Sequence, residues 1–232
     1  VVARLQQPER PVYLLVMPQD ELVEFQPNRL VQLLPRSRAL VLNRRRMVKL
    51  PAALDDWYVT EIDSPARLPE ASMVLALRFW RRAAAVVMAH EDQPEAVIYA
   101  AALAAHRKVP LLLCRRDQEA AMLTRAAGEL RTTAVVFVHP ANGKPKPARL
   151  PAGLKLELVS TTAAPARIIS LLPHRGRRTV ILSSAPQEFS DAVWLAPYIS
   201  LFRRAPLLLW RDTAAAAVER EARQFAAHHK LQ

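Results

Sequence analysis

Arginine is the residue type with the most chemistry to offer in this chain. Arg44, Arg45 and Arg46 follow the apolar run RALVLN, Arg115 and Arg116 follow VPLLLC, and Arg211 follows APLLLW. A guanidinium holds phosphate, sulfate or carboxylate through two parallel hydrogen bonds. If the apolar runs are parallel strands, their carboxyl ends form the edge where ligands bind in such sheets. Helix N-termini beside that edge would add positive potential. The expectation is an anion-binding rim of Arg44, Arg45, Arg46, Arg115, Arg116 and Arg211. The plainer alternative is that these arginines solubilise the strand ends, or pair with Glu91, Asp92, Asp117 or Asp212.

Other constellations offer less. Ser183 or Ser184 with His90 and Asp191 has the residue types of a triad, but the chain has no GxSxG elbow. His228 and His229 are adjacent, so on a helix they point apart, and HExxH is absent; no metal site is expected. Asp92 and Glu95, like Glu188 and Asp191, fit first-turn acids that favour the helix dipole, without catalysis. Only four glycines occur, and neither GxGxxG nor GxxxxGK[ST] is present, so no dinucleotide or P-loop cradle and no cofactor is expected. The Gly-Lys of ANGKPKP, 141–147, reads as a solvated loop. Cys114 is the single cysteine, which excludes an intrachain disulfide and a thiolate zinc site. Trp57, Trp80, Trp194 and Trp210 read as packing residues rather than sugar platforms.

These residues are positioned by short apolar runs. PVYLLV, RALVLN, WYVTEID, AAAVVMA, VPLLLC, TAVVFV, LKLELVS, TVILSS and APLLLW are bounded by charge or proline, as strands buried on both faces are. Helical patterns lie between them. Val97, Ala101 and Ala104 or Ala105 share a face, as do Met122, Leu123, Ala126 and Leu130, and Val193, Trp194, Tyr198 and Leu201. Asp117 and Asp212 stand at expected N-caps, and Pro197 should kink its helix or lie in the first turns. Strands alternating with helices predict an α/β fold of Rossmann-like or flavodoxin-like three-layer units with mostly parallel sheets.

The chain also repeats itself. Residues 81–115 fall without a gap on 177–211, and about a dozen of the 35 pairs are identical. The same shift of 96 places Ala39 to Leu42 on Val135 to Val138. A shift of one more residue places WYVTEIDS (57–64) on LKLELVST (154–161). The expected organisation is an N-terminal strand–helix half-unit (1–38) followed by two α/β units (39–133 and 134–232). The loop 139–153, with four prolines, is the best boundary candidate.

The order FSDAVWLAPYISLFRRAPLLLWRD, 189–212, resembles the cell wall-binding repeat 2 modules of bacterial surface proteins. The matching residues are Asp191, Ala192, Ala196, Pro197, Ala205, Pro206 and Leu207 to Leu209, and the likeness extends over roughly 39–232 in two copies. It implies three-layer α/β modules that usually come in threes and bind the cell wall. The chain departs from the family at His139 and Pro140, where paired glycines are usual. It departs again at STTAAPAR and DSPAR, where a Gly-x-Asp-Arg-Tyr-like stretch is usual, and PEA at 94–96 replaces the DA signature.

The charge balance is 33 Lys and Arg against 21 Asp and Glu, a net of +12, which favours anionic partners. Free arginine use in a GC-rich genome would explain it as well. Nucleic acid fits poorly, because the aromatics do not interleave with basic residues in any RNP-like pattern. The longest apolar run, 96–105, is too short to cross a bilayer. The chain begins at Val1, so a processed chain or fragment is expected, with any signal peptide already gone. The expected function is a non-catalytic binding or scaffold module of the bacterial cell envelope, outside the cell or in its wall. It would hold anionic glycopolymer or an envelope protein. The alternatives are a cytoplasmic flavodoxin-like enzyme on a phosphorylated or sugar-nucleotide substrate, and a subunit of a homo- or hetero-oligomeric assembly.

Overall fold

The apolar runs become strands and the segments between them become helices. The computed structural model describes residues 38–44, 58–65, 67–143, 150–172, 181–184, 191–210 and 215–228. The strands are β1 (Arg38–Arg44), β2 (Tyr58–Ser64), β3 (Ala85–His90), β4 (Leu111–Cys114), β5 (Ala134–His139), β6 (Lys155–Ser160), β7 (Ile181–Ser184) and β8 (Leu207–Trp210). The helices are α1 (Leu68–Phe79), α2 (Pro94–Arg107), α3 (Glu119–Glu129), α4 (Ala164–Leu171), α5 (Asp191–Arg203) and α6 (Ala215–His228). PVYLLV, Trp57, Asp212 and most of the proline-rich loop lie outside the described residues.

β3 to β6 form an all-parallel sheet in the order β4-β3-β5-β6, and β1–β2 and β7–β8 form two further parallel pairs. This is a Rossmann-like α/β arrangement. The four-stranded sheet crosses residues 133/134, because β3 pairs with β5 from Ala85↔Ala134 to Ala89↔Val138. Threonines fix that junction: Thr132 Oγ1 donates to the Ala83 carbonyl at 2.9 Å and Thr133 Oγ1 to the Ala84 carbonyl at 3.1 Å.

Strand alternation divides the core into two clusters. Val87, Ala89, Val136 and Val138 face α2 and α4; Val86, Met88, Val135 and Phe137 face α1 and α3. Met122, Leu123, Ala126 and Leu130 are all buried, as the helical spacing of α3 predicts. β6 departs from the expected two-sided burial. Lys155 is exposed and Leu158 is 45% exposed, because β6 lies at the sheet's edge.

α2 departs more instructively. A one-sided stripe was the expectation; the helix is buried nearly all round, from Ala96 to Ala100 and again from Ala102 to Ala104. It packs on β3, β4 and β5 on one side and on α4, α5 and β8 on the other. Its alanines let these neighbours approach closely. The Tyr99 hydroxyl accepts a hydrogen bond from the Leu209 backbone N–H at 2.9 Å, inside the core. At the C-terminal end, Ser200 Oγ on α5 donates to the Ala205 carbonyl at 2.6 Å, and so accepts from His106 Nε2–H at 3.0 Å. On α5, Val193, Ala196, Pro197 and Ser200 are buried, while Tyr198 is half-buried and stacks on Phe202. Pro197 lies inside the helix. Asp117 is not an N-cap: it lies in a 3-10 turn, Arg116–Gln118, and α3 starts after Gln118 without a side-chain cap.

Two outcomes follow from the surroundings of α2. Tyr99→Phe leaves the Leu209 N–H buried without its acceptor, and should cost about 1–3 kcal/mol in urea unfolding. Burial pushes the His106 pKa down to about 4 from its ordinary 6.5. The unfolded chain therefore takes up a proton that the folded chain refuses, and stability falls as pH drops from 6.5 to 4, by up to about 3 kcal/mol. Unfolding midpoints at about pH 7, above the window, and about pH 5, inside it, should differ for the native chain, and less so for His106→Gln.

Candidate functional site

A parallel sheet presents its ligand edge where neighbouring strands send their connections in opposite directions. Here that point lies between β3 and β5. The chain leaves β3 through α2 to β4 on one side, and leaves β5 towards β6 on the other. His90 ends β3 and His139 ends β5.

β3 ends at His90 because Glu91, Asp92 and Gln93 turn the chain and Pro94 opens α2. The Gln93 N–H donates to the His90 carbonyl at 3.2 Å, and the Glu91 N–H donates to the Cys114 carbonyl at 3.0 Å. The His90 side chain is nearly buried and lies with Nε2 3.1 Å from Glu119 Oε2, itself nearly buried in the first turn of α3. The positive end of the helix dipole favours a carboxylate there. The ring meets Phe137 edge-on, at 4.9 Å between centroids. Glu119 thus fixes the orientation of the imidazole at the switch point. The sequence offered no signal for this role, since a Glu at a helix start is ordinary.

Two buried oxygens near strand ends find no hydrogen-bond partner among the described residues: Gln93 Oε1 after β3 and Thr161 Oγ1 after β6. A buried polar atom left unsatisfied costs about 1–3 kcal/mol, so such atoms are commonly kept for a reason. The other polar groups here are satisfied locally. His139 Nδ1–H donates to the Pro140 carbonyl at 2.8 Å, and Ser160 Oγ accepts from the Ala163 N–H at 3.2 Å.

The arginines are placed as follows. Arg115 and Arg116 lie directly beyond β4, beside the switch point. Arg116 Nε lies 3.3 Å from Asp92 Oδ2, and Arg115 Nε lies 3.3 Å from Asp117 Oδ1; all four side chains are about half exposed or more. The acidic partners named for them in the sequence are therefore the ones they meet. Exposed pairs of this kind are worth about 0–1 kcal/mol and exchange readily for another anion. Arg44 ends β1, in a separate two-stranded sheet. Arg45, Arg46 and Arg211 lie outside the described residues.

Of the residues with triad chemistry, His90 lies beside Glu119 in the four-stranded sheet, whereas Ser183, Ser184 and Asp191 belong to β7 and α5, outside that sheet. Cys114 lies opposite His90 in the ladder, but its thiol is aimed at the Ala89 carbonyl at 3.7 Å. Burial, then the charges of Glu119, Glu91 and Asp92, push its pKa up to about 12. This is the reverse of an activated nucleophile. Trp80 acts in packing, with its indole N–H donating to the Lys108 carbonyl at 3.3 Å. No group of three metal-ligating side chains gathers among the described residues, and no described helix is long and apolar enough to cross a membrane.

No protein-family model, curated protein or solved structure matches the chain.

The thiol gives a direct check of this edge. Cys114 in the native protein should react with an aromatic disulfide reagent at neutral pH far more slowly than in the urea-unfolded chain, as followed by release of the coloured thiolate. Equal rates would mean that the β4 end is open.

Proposed function

We propose that the chain is a non-catalytic binding or scaffold module of the bacterial cell envelope, similar to cell wall-binding repeat 2 modules. It holds an anionic glycopolymer or an envelope partner through its basic surface. The observation that carries this reading is the recurrence of the elements. β1 and β5 start at 38 and 134, α1 and α4 at 68 and 164, β3 and β7 at 85 and 181, β4 and β8 at 111 and 207, and α3 and α6 at 119 and 215. Each pair is offset by 96 residues. β2 and β6 start at 58 and 155, and α2 and α5 at 94 and 191, each offset by 97. Two units of one pattern, each with a strand–helix–strand passage ending in PLLL, are the organisation that the resemblance implies. The half-exposed Arg115 and Arg116 and the net charge of +12 support an anionic ligand.

In this reading several weak arginine contacts on repeated units add through effective concentration. Each exposed contact is screened beyond about 8 Å at physiological salt. Co-sedimentation with purified anionic cell-wall glycopolymer tests it. Binding should fall steeply between about 0.05 and 0.5 M salt, where the Debye length shrinks severalfold. Arg115→Gln with Arg116→Gln should weaken it at low salt. Salt-insensitive binding, or none at any salt, overturns the proposal.

One observation favours the second reading, a small-molecule site on a flavodoxin-like fold. Gln93 Oε1, shortly after β3, and Thr161 Oγ1, directly after β6, have no hydrogen-bond partner among the described residues, at the same carboxyl edge as the oriented His90–Glu119 pair. Saturable thermal stabilisation by a phosphorylated sugar or sugar nucleotide, lost in Glu119→Gln, would favour that reading over the first.

A further inference from the structure

The β3–β5 junction joins a strand of the first unit to a strand of the second. β3 and β5 run parallel, from Ala85↔Ala134 to Ala89↔Val138. The residue 96 positions after Ala85 is Ile181, on β7; the residue 96 positions before Ala134 is Arg38, on β1. β7 and β1 are thus the counterparts of the two strands that meet at this junction. Among the described residues, β7 pairs only with β8, and β1 only with β2. Among the described residues, neither has a strand on the edge that its counterpart has filled.

The backbone polarity of β7 matches that role. Val87 donates its N–H to the Pro110 carbonyl, towards β4. Alternate residues of a strand point their N–H groups to opposite sides, so Val86 and Met88 are directed towards β5. Ninety-six residues on, the corresponding positions are Leu182 and Ser184. The β7–β8 register, Ile181↔Leu207, differs from Val87↔Leu111 by an even number of residues, so this polarity is preserved.

Within one chain β1 and β7 are not paired with each other. Leu207 and Leu209 of β8 belong to the core cluster on the α2 and α4 face. The β1–β2 pair is tied, by Pro65, Ala66 and Arg67, to α1, which packs on the opposite face of the four-stranded sheet. A two-stranded parallel pair is marginal by itself, and parallel sheets are normally extended and covered.

We propose that β7 takes the β1–β2 pair of a second copy of this chain. Ile181 lies opposite Arg38, Leu182 opposite Ala39, Ser183 opposite Leu40 and Ser184 opposite Val41. The product is a sheet in the order β8-β7-β1-β2, equivalent to β4-β3-β5-β6. The contact is heterologous, so copies join head to tail into a ring or an open chain. The inference rests on the two-unit reading and is independent of the ligand.

Two single-cysteine proteins, Leu40→Cys and Ser183→Cys, each in a Cys114→Ala background, test it. Facing residues on adjacent strands lie within disulfide reach. Mixed and mildly oxidised, the two should give a covalent species of twice the 26.0 kDa chain mass, and neither should give it alone. Light scattering should find multiples of 26.0 kDa that dissociate on dilution. Ser184→Pro removes an N–H from the open side only, and proline is tolerated there in an edge strand. This variant should keep its circular dichroism and thermal midpoint and become a monomer. A native chain of 26.0 kDa at every concentration, or association that survives Ser184→Pro, overturns the docking. A cross-link of Leu40→Cys to Ile181→Cys in place of Ser183→Cys overturns the 96-residue equivalence, and with it the two-unit reading.

Discussion

The burial of α2 on all sides is the constraint on which the rest of the described structure depends. A helix covering one face of a sheet ordinarily turns its other face to water. α2 has the four-stranded sheet on one side and α4, α5 and β8 on the other. It tolerates this because Ala96, Ala100, Ala102 and Ala104 occupy little space, and because the one polar side-chain group among its buried residues, the Tyr99 hydroxyl, is bonded to the Leu209 N–H. The two α/β layers are joined through this helix, and the His106–Ser200 hydrogen bond closes its far end. A charged side chain at any of those alanines would remove the contact between the layers.

Helical spacing by itself suggests a one-sided α2, and the composition of the helix explains the difference. Spacing identifies a stripe only when polar residues interrupt it. The run AVIYAAALAA contains none, and Ala counts as readily towards an exposed face as towards a buried one. Strand positions were easier, because a run of Val, Ile and Leu bounded by charge or proline has few other homes. The edge position of β6 was not legible, since lateral neighbours in a parallel sheet come from distant crossovers and leave no local mark.

At the carboxyl edge of the sheet, legibility divides along similar lines. Arg115 and Arg116 were identifiable because they follow a strand directly, and their acidic neighbours were close in sequence. The His90–Glu119 pair was not, because its partners are 29 residues apart and meet only when α3 docks behind β3. The buried oxygens of Gln93 and Thr161 are likewise visible only once the strands are assembled. The high pKa of Cys114 has the same origin: burial comes first, and the acids brought around it come second.

Sequence alone determined the alternation of strands and helices, the absence of glycine-rich phosphate loops, the single cysteine and the internal similarity at a shift of 96 residues. Each of these is a local property, or a comparison of the chain with itself. Tertiary structure decided the sheet order, the passage of the sheet across residues 133/134, the burial of α2 on nearly all sides and the pairing of His90 with Glu119. Those depend on which segments meet after crossovers of tens of residues. Hydrophobic pattern specifies that a strand must be covered, and only packing specifies by what.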